Sequence, residues 1–327
     1  MNKRRKLVVT AAALTALAWA NSVRAQATSP VLIGWLDSGT RDSDLQLLDA
    51  FKEGMAAYGW KEGVQYAIEE RWLDGRMDQL PRLAQELAAR KPRIILAQPS
   101  SLVVAASKAA PGIPIVQMGG SPVESGTVTS FARPGGMITG VSSLALTLSE
   151  KLVELFREVM PKARRAGFLG DPKAVVNAEA HERSQLATKR FLLDARFAEA
   201  STPDELEPAI GRLAKEGAQG IVVLPNLWFT GARHRIVKSA MSHHLPVFAA
   251  SRGFTEIGAL LAYGADTLSL RRRSAYYVDR ILKGAKPADL PVEQPTKFEL
   301  TINLKTAKAL GIKIPNSILV RADKMIE

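Results

Sequence analysis

The chain has 327 residues, 46% hydrophobic and 23% charged, with 24 Gly and 18 Pro, the ordinary balance of one large or two medium globular domains. The absence of cysteine excludes thiol nucleophiles, cysteine-ligated metals and a lipid-bearing cysteine behind a leader. Its formal net charge is +12, yet the one dense basic run outside the N-terminal segment is Arg271-Arg272-Arg273, and consecutive residues fan over about 200° of a helix. They form no phosphate-tracking stripe, and no nucleic-acid partner is expected.

In chain order, residues 1–25 are a separate object. Lys3, Arg4, Arg5 and Lys6 precede an apolar run from Leu7 to Ala20, and Val23-Arg24-Ala25 has the residues a signal peptidase reads. The run is shorter than the about 20 apolar residues that span a bilayer. A cleaved signal peptide is therefore expected, leaving a periplasmic chain that starts at Gln26. The Arg4-Arg5 pair keeps the twin-arginine route open beside the general one. Loss of this segment would take the net charge from +12 to +7.

Beyond it, strand and helix patterns alternate. Val31 to Leu36 predicts a buried strand, Asp42 to Tyr58 a helix on Leu45, Leu48, Phe51 and Met55, Val64 to Trp72 a strand, and Met77 to Arg90 a helix on Leu80, Leu83 and Leu87. Arg93 to Ala97, Ser100 to Ala110 and Ile113 to Met118 repeat strand, helix, strand. After the Gly- and Pro-rich stretch ARPGGMITGVS the pattern restarts. Leu148 to Val159 predicts a helix, Ala166 to Gly170 a strand, Asn177 to Asp194 and Asp204 to Glu216 two helices, Gly220 to Leu224 a strand, Thr230 to His243 a helix and Pro246 to Ala249 a strand. The fold class is α/β, with two parallel sheets covered on both faces. RIILAQPSS leading to GIPIVQ echoes GIVVLPNLW leading to HLPVFA, as related halves would.

In open parallel sheets, ligands sit beyond the carboxyl ends of the strands, where helix N-termini offer N–H groups. Those ends carry Ser38, Ser100 and Ser101, Gly120 and Ser121, Asn177, Asn226 and Arg252. Each could be a helix cap or turn residue alone; so many facing one cleft point to a hydrogen-bonding site. Catalytic arrangements are missing from the sequence: no Gly-x-Ser-x-Gly elbow, phosphate loop or His-Glu-x-x-His occurs. His181 and His234 fall within predicted helices, and His243-His244 stands at the amino end of a strand. Among the aromatics, Trp35, Trp228, Phe229, Phe254 and Tyr263 lie near strand ends, where each could stack on a flat group or fill the core.

The C-terminal stretch YVDRILKGAKPADLPVEQPTKFELTINLKTAKALGIKIPNSILVRADKMIE, together with AYGWKEGVQYAIEERWLDGRMDQLPRLAQELAARKP, GIPIVQMGGSPVESGTVTSFARPGGMITGVS and VELFREVMPKARRAGFLGDP, closely resembles the tryptophan-binding-like ABC transporter substrate-binding proteins. The resemblance implies a two-lobed periplasmic-binding-protein fold of type I, each lobe a parallel sheet flanked by helices, with a hinge between them. It places the chain crossings near Val141, Gly264 and Leu290, so that 30–141 plus 265–290 form lobe 1 and 142–264 plus 291–327 form lobe 2. Where the family commonly has Gly-Gly-Asp-Pro this chain has Gly119-Gly120-Ser121-Pro122, and its usual Asn-Pro-x-x-Pro-Asn loop is here Gly170-Asp171-Pro172-Lys173-Ala174-Val175-Val176-Asn177.

The function so implied is capture of a small molecule, an amino acid or small carboxylated aromatic compound, for an ABC permease in the inner membrane. The protein would act as a monomer, without cofactor, metal or catalysis. Ser38, Ser100, Ser101, Gly120 and Ser121 would bind from the first lobe, and Asn177, Asn226, Arg252 and Tyr263 from the second lobe or hinge. Arg271-Arg272-Arg273, on a helix expected to lie outside the cleft, would be dispensable for ligand affinity and available to the permease. A ligand sensor for a signalling receptor and an exported hydrolase are the alternatives; the second lacks a base at the strand ends.

Overall fold

The computed structural model describes residues 29–327 apart from 99, 145 and 174–176, and omits the side chains of 43, 177 and 227. The expected signal peptide and its cleavage site lie outside the described residues. Two sheets are present among them: five strands in the order β2-β1-β3-β4-β5 and seven in the order β12-β11-β10-β9-β8-β6-β7.

The first sheet consists of β1 (Val31–Asp37), β2 (Tyr66–Trp72), β3 (Ile94–Gln98), β4 (Ile115–Met118) and β5 (Ile138–Val141), all parallel. Their side chains alternate between two apolar layers, as period-two geometry demands. Ile33, Trp35, Ile94 and Leu96 pack with Leu48, Phe51 and Met55 of α1 (Arg41–Ala57), while Ile95 and Ala97 pack on the other face with α2 (Leu80–Ala89) and α3 (Ser100–Ala109).

The second sheet begins with β6 (Arg165–Gly170), β7 (Asp194–Glu199), β8 (Ile221–Val223), β9 (Val247–Ala249) and β10 (Leu261–Ala265), again parallel. On one face lie α4 (Leu148–Val159) and α5 (Asn177–Arg190); on the other lie α6 (Pro203–Lys215), α7 (Leu227–Gly231), α8 (Arg233–Ser242) and α9 (Arg252–Glu256). After α10 (Thr267–Leu282), β11 (Phe298–Asn303) joins β10 antiparallel, and beyond α11 (Leu304–Ala309) and α12 (Asn316–Leu319) the strand β12 (Lys324–Ile326) runs parallel to β11.

Three differences from the sequence reading have local causes. The predicted helix 177–194 stops at Arg190, because Leu192 takes a left-handed φ of 54° and Asp194–Glu199 pairs with β6 as an edge strand. The predicted helix 230–243 is two helices that meet at Ala232. Most consequentially, α10 is not peripheral. Its apolar stripe, including Ala275 and Val278, closes one face of the first sheet against α1, and Arg271 is completely buried.

The chain passes between the two sheets after Val141, after Ala265 and between Leu290 and Phe298. Two of these passages are bonded to each other: Ser142 N donates to Glu293 O (2.8 Å) and Glu293 N to Gly140 O (3.0 Å). Such a paired two-strand connection can bend as a unit, and hinges are built from a few such element-terminal residues.

The seam between α1 and α10 depends on Gly54, where a Cβ would lie 2.5 Å from the Arg272 carbonyl oxygen and 2.8 Å from the Ala275 methyl. Alanine favours a helix by about 1 kcal/mol over glycine, but here it must push two backbones apart. Gly54→Ala is expected to lower stability by about 1–3 kcal/mol, the range for overpacking a core, measured by urea unfolding.

Candidate functional site

The carboxyl ends of the two sheets face a cavity of ≈ 460 Å³ lined from both. From the first sheet come Gln98 at the end of β3, Ser100 and Ser101 opening α3, Gly120 and Ser121 after β4, and Ser143 after β5. Asp171 follows β6, Ser201 follows β7, Asn226 and Trp228 follow β8, and Ala250, Ser251 and Phe254 follow β9. Thr267 and Leu270 of α10 complete the wall.

Ser100 and Gly120 are held by neighbouring side chains. Gln117, fully buried in β4, donates through Nε2 to Ser100 Oγ (3.2 Å) and to Gly119 O (2.6 Å), and its Oε1 accepts from Thr127 Oγ1 at 3.0 Å. Ser100 Oγ is thus an acceptor within the protein and keeps its own hydrogen to donate. Gly120, at φ 87°, is clamped by Ser143 Oγ, which accepts its N–H at 2.9 Å, and by Ser142 Oγ, which donates to its carbonyl at 2.9 Å.

On the opposite wall Asp171 is the organising group. It is 7% exposed, and its Oδ1 accepts from Ser201 Oγ (2.6 Å) and Lys173 N (3.0 Å), its Oδ2 from Asn226 Nδ2 and Trp228 Nε1, both at 2.9 Å. One carboxylate therefore ties the ends of β6, β7 and β8 together. Asn226 is also the N-cap of α7, its Oδ1 accepting from Trp228 N. It fills both roles the sequence allowed it, cap and cavity wall.

Ser100, Ser101, Gly120, Ser121 and Asn226 are brought together around this cavity. Ser38 and Arg252 are not; they line an adjoining hollow of ≈ 80 Å³ with Asp37, Asp44 and Arg233. Tyr263 lines neither, because it shares the face of β10 with Leu261, packs on the second-sheet core and stacks on Phe298 with 5.8 Å between centroids. The side chain of Asn177 lies outside the described residues. Trp35 and Phe229 are fully buried core, whereas Trp228 and Phe254 line the cavity.

Sequence reading missed Gln98, Ser201, Thr267 and Leu270, and it noted Asp171 at a strand end without counting it among the binding residues. Asp171 and Thr267 stand just after strand ends, the signal that found Ser100. Ser201 follows a strand that the helix pattern concealed, and Leu270 belongs to the helix expected to be remote.

That helix supplies the other buried charge. Arg271 Nη1 donates to Met118 O, and its Nη2 lies 3.7 Å from Asp37 Oδ2. Reversal of charge there would put an acid beside an acid in the core, so the expectation of a dispensable basic run is overturned. Arg272 pairs with Glu53 at 2.8 Å and Arg273 with Glu293 at 2.5 Å, both at the surface of the first lobe and the hinge. Burial pushes Asp37 up to about 6 from 3.8, outweighing the nearby Arg271 guanidinium, while Asp44 adds repulsion.

The lobes touch beside the cavity. Arg233 Nη2 of α8 lies 3.5 Å from Asp44 Oδ1 of α1, and a Cβ on Gly231 would stand 3.0 Å from the Cα of Gly75. Met77 packs against the apolar layers of both lobes.

Two α/β lobes joined by a paired hinge around one cavity define the periplasmic-binding-protein class. The chain belongs to the ABC transporter substrate binding protein family, whose model matches residues 40–326. It is 27% identical over 273 residues to a tyrosine-binding protein of Clostridioides difficile (strain R20291), covering 81% of this chain and 78% of that one. Among solved structures it resembles the ABC domain in complex with L-Trp from Streptococcus pneumonia (TM-score 0.83, 23% identity, 91% of this chain and 100% of that one). It also resembles a conserved domain protein from Vibrio cholerae O1 biovar El Tor strain N16961 (TM-score 0.83, 24% identity, 90% and 99%). The ligand-free, open substrate binding protein with adhesive properties from Clostridium difficile matches with a TM-score of 0.65 at 22% identity, over 90% and 99%.

Because Asp37 is raised to about 6 from 3.8, the folded chain keeps a proton there that the unfolded chain has released. Where the native state binds more protons, stability falls as pH rises. Between about pH 4 and 6 this group therefore withdraws up to about 3 kcal/mol, since each pH step across that window costs about 1.4 kcal/mol. Urea unfolding of the parent and Asp37→Asn should show the parent losing stability relative to the variant across that window, and no such change above pH 7.

Proposed function

We propose that this protein, exported by means of residues 1–25, captures a small carboxylate with an apolar, aromatic-sized body and delivers it to an ABC permease. The lobes are taken as 30–141 with 265–290 and 142–264 with 291–327. The observation that carries the reading is the ≈ 460 Å³ cavity lined from both sheets, a volume inside the about 300–1,000 Å³ range of small-molecule sites. Among the described residues no helix is long and apolar enough to cross a membrane, which suits a binding protein that meets its permease at the surface. A relative named for tyrosine and a structure solved with L-Trp support the aromatic size.

Ligand would enter with the lobes apart, donate and accept at Ser100, Ser101 and Ser121 of one lobe, and complete its contacts with the Asn226 and Trp228 wall of the other. The bound lobes then hold together because separation would expose the apolar part again. A ligand shifts such an equilibrium only by its preference for the closed form, and contacts from both walls supply that preference. The Asp44 to Arg233 pair and the Gly75 to Gly231 contact limit how far closure proceeds. The permease reads the closed outline; no bond in the ligand is made or broken.

A thermal-shift screen over aromatic amino acids, aryl carboxylates and sugars tests the ligand class, and saturable binding by sugars alone would overturn it. For a ligand so found, Ser100→Ala should weaken binding several-fold to ~100-fold, the equivalent of one lost hydrogen bond of about 1–3 kcal/mol. Gly231→Val should separate closure from contact. Residue 231 lines neither hollow, yet small-angle scattering at saturating ligand should show less compaction than in the parent, and parental compaction would disprove the seam.

A further inference from the structure

We infer that the ligand is an apolar carboxylic acid without an ammonium group, of the arylalkanoic class, and not an α-amino acid. This rests on the reading that the large cavity captures the ligand. Among the described residues that line it, only Asp171 and Lys173 carry charge. An ammonium offers three donors and no acceptor, and taking it out of water without a charged or well-bonded partner is expensive. Asp171 cannot be that partner. A carboxylate has about four lone-pair positions, and those of Asp171 are taken by Ser201 Oγ, Lys173 N, Asn226 Nδ2 and Trp228 Nε1 at 2.6–3.0 Å.

The acids of the adjoining hollow do not replace it, and Glu124 does not line the cavity. Asp37, Asp44 and Glu256 line the smaller hollow, and each already faces an arginine: Arg271 at 3.7 Å, Arg233 at 3.5 Å and Arg252 at 3.1 Å. Asp37 Oδ2 is itself sealed from solvent and presents no oxygen to the large cavity. Donors, by contrast, are in supply. Ser100 keeps its hydroxyl hydrogen, and Lys173 brings a cation to a wall whose one carboxylate has its oxygens engaged by donors of the protein. The lining is formally neutral and hydroxyl-rich on an apolar background, with its one carboxylate turned to protein donors and its one cation exposed, which suits an anion with an aromatic body better than an ammonium.

Isothermal titration of matched pairs that differ in the amine alone decides the matter: 3-phenylpropionate against L-phenylalanine, 3-(4-hydroxyphenyl)propionate against L-tyrosine, and 3-indolepropionate against L-tryptophan. The acids are expected to bind at least about tenfold more tightly than their amino-acid partners, and Lys173→Met to weaken the acid about threefold to tenfold, as removal of one partly exposed charge contact does. Equal or tighter binding of the amino acids, with compaction of the lobes in small-angle scattering, overturns this inference and leaves the capture function standing. Binding of neither member of any pair removes both.

Discussion

A parallel strand delivers its polar backbone and the start of its following helix to one edge of the sheet, and this constraint shapes the whole molecule. Both sheets obey it, and the three passages between them set those edges face to face. Ser100, Ser101, Ser121 and Asn226 then converge on one volume, while the apolar layers above and below each sheet are left to stability. The cavity is a consequence of topology first and of particular residues second.

Within that frame two buried carboxylates take opposite parts. Asp171 has both oxygens engaged by hydrogen bonds and pulls Ser201, Asn226 and Trp228 into one wall. Asp37 has a guanidinium nearby without a close bond, so burial dominates and its proton is held toward neutral pH. The first is a positioning group whose hydrogen bonds are spent on the protein. The second joins the floor of the first lobe to the buried Arg271 of α10, which also holds the carbonyl that precedes Gly119 and Gly120. A segment late in the chain thereby fixes the loop that presents Ser121.

The hinge and the seam divide the remaining labour. Residues 140–142 and 293 are paired as short strands, so two passages bend together, whereas Gly75, Gly231 and Met77 are the places where the lobes meet. Small residues at that seam let backbones approach where side chains would hold them apart. The contacts nearest the cavity are thus close approaches of backbone and one ion pair, and the hinge is a pair of bonded chain passages.

The alternation of apolar strands with amphipathic helices made the α/β class and the two halves legible, since a buried parallel strand and a helix with one apolar stripe write different periods. Ser100, Ser101, Gly120, Ser121 and Asn226 were legible as cavity residues because position after a strand is a local property. Asp194–Glu199 was hidden by the helical composition before it, and the edge pairing that makes it a strand is supplied by β6. The burial of Arg271, the turning of Tyr263 into the core and the saturation of Asp171 had no local signature. Each depends on which residues, far apart in sequence, the packed sheets bring within hydrogen-bond distance. Where polar groups stand along each strand and helix is written locally in the chain; which of them face the cavity and which have bonds left to offer depends on packing, because burial and pairing are properties of neighbours in space.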